Sequence, residues 1–291
     1  MGNAFGVRLW RAPAKINLSL HILGRRLDGY HELESVVAFS GFGDMLGFTP
    51  ADELGLDVEG PTAVEAGPSE DNLVIKAARA LAARAPGLRL GRFSLRKVLP
   101  VAAGIGGGSS DAAAALRALA HLNGISLDDP RLIEAAAATG ADVPVCLQPR
   151  ARVMAGIGDR IGAPLDLPPL PSLLVNPGIP TPTPRVFAAL GLERGAAANF
   201  GPAVDFAHAA GWLAALRAAR NDLQPAALKV APEISEALER LASLPGALLT
   251  RMSGSGATCF AVFEDRATLM RGTREIKAQR PGWWARATYL R

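Results

Sequence analysis

The chain has 291 residues, 49% of them hydrophobic, and a formal net charge of +4 from 31 basic and 27 acidic residues. This length and apolar content predict a globular protein of enzyme size, long enough for two domains. The basic residues are scattered, so the charge pattern does not indicate a nucleic-acid-binding protein.

Cysteine content and hydropathy predict the compartment. The two cysteines, Cys146 and Cys259, lie far apart in apolar runs, which predicts buried thiols rather than a disulfide or a metal site. The sequence has no apolar run of about 18 or more residues and does not open with a signal-peptide pattern. We therefore expect a cytoplasmic protein without a membrane segment.

The first predicted element is a strand at 14–21, where apolar and polar residues alternate. Because successive side chains of a strand point to opposite faces, Lys15 and Asn17 fall on the same face, about 6–7 Å apart. We expect this face to look away from the core. The pair could form a shared polar site, although Lys15 taken alone is more typical of a solvated strand lysine.

A turn at 28–29 separates this strand from a second strand pattern at 31–39. Tyr30 and His31 are therefore expected in an exposed loop or at a strand edge. A Pro- and Gly-rich excursion follows at 51–68. Beyond it the pattern predicts a helix at about 71–85, capped by Asp71 or Asn72, and then a strand at 90–99.

The most informative stretch is 100–116, PVAAGIGGGSSDAAAAL. Its glycines lack Cβ atoms, so we expect positive φ angles and a backbone that closes around a ligand. The alanine-rich sequence after them predicts a helix at 110–123, with Ser109, Ser110 and Asp111 available as caps. Loop N–H groups and a positive helix N-terminus together predict a phosphate-binding site. The four glycines are Gly104, Gly106, Gly107 and Gly108.

Two common phosphate-loop patterns do not fit this run. No lysine follows Gly108, as a P-loop requires, and Ser109 stands where the dinucleotide fingerprint has its third glycine. A flexible linker is the alternative, but linkers do not usually run into a long apolar helix. The run therefore predicts a phosphate loop of a different type.

The sequence after this loop predicts a helix at 129–139 and then a short loop containing Asp142. Taken alone, Asp142 is more typical of a loop-capping residue than of a catalyst. Proline-rich sequence at 162–171 and four more prolines at 177–184 predict an extended segment. We place a domain boundary near residue 160, which gives domains of 1–160 and 161–291.

The C-terminal part alternates strand and helix patterns, which predicts an α+β protein. Its predicted elements are a strand at 172–177, helices at 206–220 and 232–242, two strands within 247–263 and a helix at 267–278. The glycine- and serine-rich segment 252–257 joins those two strands. It fits either a simple hairpin turn or a second loop over a triphosphate.

Five motifs, in this order, resemble those of the GHMP kinases. They are APAKINLSL at 12–20, DGYHEL at 28–33, PVAAGIGGGSSDAA at 100–113, GADVPV at 140–145 and RMSGSGA at 251–257. More narrowly, the chain is similar to members of this family that phosphorylate a CDP-linked sugar alcohol. The resemblance implies a two-domain α+β GHMP kinase fold, with a left-handed βαβ crossover in the N-terminal domain and a ferredoxin-like C-terminal domain. Such a crossover departs from a strong general rule, so periodicity alone cannot predict it.

The resemblance implies transfer of the γ-phosphoryl group of ATP to the 2-hydroxyl of the sugar alcohol. Mg²⁺ is expected to arrive with ATP, because no metal-ligand cluster stands out in the sequence. Asp142 matches the family's catalytic base and Lys15 its lysine partner. The positions that match ATP-binding residues are Asn72, Lys97, Pro100, Gly104, Gly106, Gly107, Gly108, Ser109 and Ser110. Those that match substrate-binding residues are Asn17, Tyr30, His31, Asp142 and Phe187, with Tyr30 and Phe187 holding a cytosine between them.

Four positions depart from the family pattern. The family often has glycine where Ala102 and Ala103 stand, and often leucine and asparagine where Ile105 and Asp111 stand. A carboxylate pointing into an anion cradle would repel phosphate. We therefore expect Asp111 to cap the following helix instead.

Two alternatives to this function remain open. The chain could be another small-alcohol kinase of the family, such as a mevalonate or homoserine kinase, but the DGYH motif disfavours this. It could also be a non-catalytic sensor on the same fold, although a sensor has no need of both Lys15 and Asp142. The sequence allows a monomer or a homodimer.

Overall fold

The computed structural model describes residues 8–201, 203–204, 206 and 211–291. The strands are β1 (Arg8–Asn17), β2 (His21–Arg25), β3 (His31–Pro50), β4 (Gly55–Glu59), β5 (Gly91–Arg96), β6 (Arg152–Gly156), β7 (Arg160–Pro164), β8 (Leu170–Asn176), β9 (Ala247–Met252), β10 (Cys259–Phe263) and β11 (Trp284–Leu290). The helices are α1 (Leu73–Arg84), α2 (Gly107–Asn123), α3 (Pro130–Thr139), α4 (Val143–Leu147), α5 (Thr183–Ala189), α6 (Trp212–Ala218), α7 (Gln224–Val230), α8 (Ile234–Ser243) and α9 (Arg266–Gln279). Two 3₁₀ turns lie at Val64–Ala66 and Ser69–Asp71. The predicted α+β class is confirmed.

The described residues form two compact units, and each unit is discontinuous in sequence. The first comprises the described residues up to 14, together with 42–101 and 106–149. The second comprises 15–41, 102–105 and the described part of 150–291. The two units divide the chain at several positions. The single domain boundary near residue 160 stays a prediction.

In the first unit, β4 pairs parallel with β5, and β5 pairs antiparallel with residues 45–50 of β3. Helix α1 lies between β4 and β5 in the chain, which makes a βαβ unit whose left-handedness stays a prediction. Phe93 and Leu95 of β5 are buried, while the residues between them are exposed. Helices α1 to α4 pack together, and α2 is buried along most of its length from Ser110 to Ala120. A small-residue helix in the middle of this unit allows close packing on both sides.

In the second unit, four antiparallel strands lie in the order β11-β8-β10-β9. The chain passes from β8 through helices to β9 and β10, and then through α9 to β11. This βαββαβ order is ferredoxin-like, as predicted. Apolar residues of β8 and β10, with Ile234 and Leu241 of α8, form its core.

Both cysteines are buried free thiols, as predicted. Burial raises the pKa of the Cys259 thiol, which keeps it protonated and unreactive. Cys146 lies in α4, in the first unit.

Three element predictions were wrong in detail. The strand predicted at 14–21 is interrupted, because β1 ends at Asn17 and β2 begins at His21. The segment expected to be extended up to residue 184 contains the start of α5, because a proline at the second helical position needs no N–H partner. The helix predicted at 206–220 is observed at Trp212–Ala218, and positions 207–210 lie outside the described residues.

Candidate active site

In the glycine-rich loop, the part of the 100–116 stretch that precedes α2, the residues with positive φ come earlier in the chain than predicted. Gly104 and Gly106 have φ values of 72° and 59°, and Ala102 also has a positive φ, of 50°. Gly107 and Gly108, which were expected to have positive φ, instead form the start of α2, with Gly106 as the N-cap residue. The expectation of positive φ at these two positions was therefore wrong.

The N-terminus of α2 carries the features of an anion-binding site. The first three amides of the helix, at 107–109, have no acceptor within the helix, and the N–H of Ser110 donates to Gly106 O at 2.9 Å. Gly108 is exposed and Ser109 is half-buried. The Ser110 hydroxyl is buried and donates to Pro13 O at 2.6 Å. Free backbone amides at the positive end of a 17-residue helix suit a phosphate group.

The second glycine-rich segment, 252–257, packs closely around Gly104. A Cβ atom on Gly104 would lie 2.5 Å from Ser253 O and 2.8 Å from Gly256 N, so only glycine fits there. Ser253 Oγ donates to Gly104 O at 2.9 Å and accepts from Asn17 N at 3.0 Å. The second segment is thus a turn between β9 and β10 that also supports residues 102–105.

A buried asparagine that the sequence did not single out holds this turn. Asn221 Nδ2 donates to Met252 O and to Gly254 O, both at 2.8 Å. Its Oδ1 accepts from Leu223 N at 3.0 Å, so the whole amide group is hydrogen-bonded. Its sequence context, RNDLQP, resembles an ordinary turn and gives no signal of this role.

Lys15 and Asn17 are buried, with 4% and 5% of their surfaces exposed, so the prediction that they face away from the core was wrong. Polar side chains tolerate burial when they are hydrogen-bonded, and Asn17 Nδ2 donates to Ser35 Oγ at 2.7 Å. The backbone N–H of Lys15 donates to Ile105 O at 2.9 Å, which joins β1 to the glycine-rich loop. Strand periodicity reports which residues share a face, but it cannot report that a polar face is covered.

Asp142 and Asn72 are each the residue before a helix. Asp142 is half-buried directly before α4, and it belongs to the first unit, whereas Lys15 belongs to the second. Asn72 Oδ1 accepts from Val74 N at 3.0 Å, so the prediction that it caps α1 is confirmed. Pro100 is half-buried at the start of the glycine-rich stretch.

Lys97 and Asp111 lie together in a buried ion-pair cluster. Lys97 Nζ is 2.7 Å from Asp111 Oδ2 and 2.6 Å from Asp44 Oδ2. Asp111 is the fifth residue of α2, so the prediction that it caps this helix was wrong: the helix begins earlier, and the carboxylate pairs with lysine. Asp44 went unnoticed, since a lone acid in the apolar run FGDMLGF was its only signal.

Burial and charge shift the pKa values of this cluster. Burial raises the pKa of Asp111 to about 7, and the Asp44 charge adds to this, whereas Lys97 opposes it. Burial alone would lower the pKa of Lys97, but the two carboxylates outweigh it and raise that pKa. Lys97 is therefore a permanent cation.

The predicted substrate-binding aromatic residues lie in the second unit. Tyr30 is 62% exposed. The rings of His31 and Phe187 are 4.8 Å apart between centroids, at an angle of 34°. Burial, with help from Arg25, lowers the pKa of His31, so its ring is neutral at pH 7. The buried His31 Nε2 has no hydrogen-bond partner within the described part of the chain.

The described residues contain neither a metal-binding cluster nor a membrane-spanning helix. No group of three or more His, Cys, Asp or Glu side chains there is arranged to hold a metal ion. None of the described helices is both long and apolar enough to cross a membrane.

Two family models match the chain. The model for the GHMP kinases N terminal domain matches residues 72–149, and the model for the GHMP kinases C terminal region matches 192–280. Together they cover more than half of the sequence, including the glycine-rich loop and Asp142. The chain belongs to the GHMP kinases.

Curated relatives within this family match nearly the whole chain. A protein of Xanthobacter autotrophicus named 4-diphosphocytidyl-2-C-methyl-D-erythritol kinase is 57% identical, with 97% of this chain and 98% of the relative covered. A protein of the same name from Methylobacterium radiotolerans is 58% identical, with the same coverage. The chain is thus similar in sequence to full-length kinases of this one name.

Solved structures agree with the family assignment. A crystal structure of 4-(cytidine 5'-diphospho)-2C-methyl-D-erythritol kinase matches with a TM-score of 0.78 and 34% identity, covering 97% of this chain and 99% of the other. A mevalonate kinase from L. major matches with a TM-score of 0.66 and 16% identity, covering 99% and 96%. At that identity the second match shows the fold alone. The predicted GHMP kinase fold is confirmed.

Proposed function

We propose that this GHMP kinase transfers the γ-phosphoryl group of ATP to the 2-hydroxyl of 4-diphosphocytidyl-2-C-methyl-D-erythritol. The observation that carries this proposal is the identity of 57–58% across 97% of the chain with relatives of that name. The order of the five motifs, including DGYH and GADVP, supports the same substrate.

The N-terminus of α2 fits the phosphates of ATP. Its first three amides have no acceptor within the helix, and the helix dipole favours negative charge at this end. The residues we assign to ATP binding are Asn72, Lys97, Pro100, Gly104, Gly106, Gly107, Gly108, Ser109 and Ser110. Of these, Asn72 would contact ATP from its position directly before α1, where its amide oxygen already caps that helix.

Mg²⁺ is proposed to enter with ATP. A divalent cation bound to the nucleotide neutralises phosphate charge during transfer. The ligands of this ion are proposed to be mainly phosphate oxygens and water.

Asp142 is proposed as the base for the 2-hydroxyl. The hydroxyl oxygen forms a bond to the γ-phosphorus while the bond from that phosphorus to the β-phosphate bridging oxygen breaks, and the hydroxyl proton passes to the Asp142 carboxylate. A carboxylate is a weak base toward an alcohol, but the transition state is loose and the nucleophile becomes acidic late. Lys15 is proposed to keep this carboxylate ionised and oriented.

Asn17, Tyr30, His31, Asp142 and Phe187 are proposed to bind the second substrate. In this scheme the cytosine stacks on Tyr30 and Phe187, and His31 reads its edge. The neutral His31 ring and its unpartnered Nε2 atom support a hydrogen bond to a base edge. The contact between His31 and Phe187 supports a joint site for these two residues.

Two other functions can be tested beside this one. Matches to mevalonate and homoserine kinases at 16% and 14% identity support a shared fold and nothing further. A non-catalytic sensor would bind ligand without turnover. Cytoplasmic location and a monomeric or homodimeric state stay predictions.

The test is an ADP-release assay with three acceptors in parallel: the CDP-linked methylerythritol, mevalonate and homoserine. We expect rapid turnover with the first alone, and ³¹P NMR should show the new phosphate on the 2-hydroxyl. Turnover that favours mevalonate or homoserine would contradict the substrate assignment. Binding of ATP and the CDP-linked alcohol without ADP release would indicate a sensor.

A further inference from the structure

Three charged side chains lie beneath the first turn of α2, all in the first unit and all buried. They are Asp44, Lys97 and Asp111. We propose that Asp111 is a positioning residue whose carboxyl group, through Lys97 and Asp44, sets the net charge beneath this turn and thereby the affinity for nucleotide phosphates. This inference rests on the proposed binding of ATP at α2.

The ammonium group of Lys97 lies near the start of α2. A Cβ atom on Gly107 would lie 3.6 Å from Lys97 Nζ, so the ammonium lies next to the first residue of α2. Both of its ion-pair partners are protein carboxylates. Lys97 therefore acts on a bound phosphate through the helix start that it supports.

Asp44 anchors the cluster to the backbone after β5. Asp44 Oδ1 accepts from the backbone N–H groups of Val98 at 2.6 Å and Leu99 at 2.9 Å, while its other oxygen accepts from Lys97. Leu99 packs at 3.6 Å from the position of a Gly107 Cβ. The carboxylate thus fixes the chain between β5 and the glycine-rich loop, and the ammonium cannot move without disturbing it.

The net charge of the cluster depends on Asp111. Two carboxylates and one ammonium carry a net charge of −1 when all are ionised. Asp111 Oδ1 is buried and has no hydrogen-bond partner among the residues that the structure describes. The charged groups acting on Asp111 are Lys97, which follows β5, and Asp44 of β3.

Asp111 changes charge near neutral pH, because burial raises its pKa to about 7. With Asp111 protonated the cluster is neutral, and the helix dipole acts on phosphate unopposed. With Asp111 ionised, a negative charge lies about one turn beneath the phosphates and weakens their binding.

The test compares ATP affinity at pH 6 and pH 8.5 by calorimetry for the wild-type protein and Asp111→Asn. Asparagine has the same shape and no charge. The matched control is Asp57→Asn, an exposed carboxylate on β4 in the same unit. The control reports the titration of ATP itself, which is common to all three proteins.

Between pH 6 and pH 8.5, we expect the Kd for ATP to increase in the wild-type protein and in Asp57→Asn by a factor about five times that in Asp111→Asn. This is the effect expected for one charge at roughly 8–10 Å in a partly screened site. A role in folding alone would shift the Kd of Asp111→Asn equally at both pH values. Tight binding with parallel pH profiles in all three proteins would overturn this inference and leave the proposed function standing. Absence of ATP binding in the wild-type protein at both pH values would overturn the proposed function and this inference with it.

Discussion

The Ser253 hydroxyl donates a hydrogen bond of 2.9 Å to the carbonyl oxygen of Gly104. Ser253 Oγ also accepts a hydrogen bond from the backbone N–H of Asn17, so this one side chain joins the turn after β9 both to the glycine-rich loop and to β1. Ser253 has no exposed surface, and replacing it leaves the buried N–H of Asn17 and the partly buried carbonyl of Gly104 without this partner. The second glycine-rich segment therefore contributes a support as well as a turn.

We expect Ser253→Ala to lower the free energy of unfolding by about 1–3 kcal/mol and to raise KM for ATP by about three- to tenfold, because Gly104 loses its support. Urea denaturation and steady-state kinetics measure the two effects. Ser255→Ala is the control in the same turn, since its hydroxyl contacts Thr183 at 2.7 Å instead. Equal KM values for ATP in the two variants would contradict a specific role for Ser253.

Gly104→Ala is expected to destabilise the protein far more than a glycine replacement in open space. Gly104 has a φ of 72°, and a Cβ atom on it would lie 2.5–2.8 Å from backbone atoms of Ser253 and Gly256. Gly87, with φ of 80° and nothing within 4 Å, isolates the cost of the left-handed backbone, which is roughly 1–2 kcal/mol. The loss in Gly104→Ala, measured by urea denaturation, should exceed that of Gly87→Ala by at least about 2 kcal/mol. Similar losses would mean that the crowding at Gly104 relaxes easily.

Replacing Asp142 by Asn should leave folding and ATP affinity nearly intact while kcat falls by about two to four orders of magnitude, the range for loss of a positioned acid–base group. Asparagine keeps the size of the side chain but cannot accept the proton. Calorimetry with a non-hydrolysable ATP analogue provides the control for binding. A variant that keeps more than about a third of the wild-type kcat at saturating substrates would exclude Asp142 as the base.

Tyr30→Ala should raise KM for the CDP-linked alcohol by at least about fivefold and leave KM for ATP unchanged, because stacking on one aromatic ring contributes on the order of 1–3 kcal/mol per base. Tyr30 is 62% exposed, so its loss should not unfold the protein. Tyr289→Ala, an exposed tyrosine on β11, is the matched control. If Tyr30→Ala instead lost affinity for ATP, this ring would belong to the nucleotide site.

The raised pKa of Asp111 also predicts how stability changes with pH. A carboxyl group whose pKa is higher in the folded state, here about 7 against 3.8, favours folding at low pH. That contribution is complete below about pH 4 and is lost as the pH rises through 7. The wild-type protein should therefore lose stability relative to Asp111→Asn between pH 4 and 7.5 in urea denaturation. A constant difference across this range would show that Asp111 titrates normally.

The glycine-rich loop and the helix after it were predicted from the sequence, but the residue at which the helix begins was not. Glycines followed by alanines predicted a loop leading into a helix, because those residue types have local conformational preferences that do not depend on the rest of the fold. The helix nevertheless begins at Gly107, before the predicted serine caps. A tertiary contact, the Ser110 hydroxyl on Pro13 O, holds one of those serines inside the helix.

Long-range pairing was beyond the reach of sequence patterns. Asp44 and Asp111 are 67 positions apart, and no local rule connects either of them with Lys97. The hydrogen bond from Asn17 to Ser253 spans 236 positions. Strand periodicity correctly placed Lys15 and Asn17 on one face, but burial of that face depends on which segments return to cover it. The site residues that the family resemblance supplied, such as Phe187, likewise have no local signal of their own.

The interleaving of the two compact units has a consequence for synthesis on the ribosome. Residues 15–41 belong to the second unit and emerge early, yet Ser40 pairs with Leu290, the penultimate residue of the chain. β2 can pair with β3 early, but the pairing of Ser40 must wait until Leu290 has been synthesised, and a fragment that starts near residue 161 would contain neither β2 nor Ser40. We therefore expect the sheet of the second unit to be completed only after Leu290 has emerged from the ribosome.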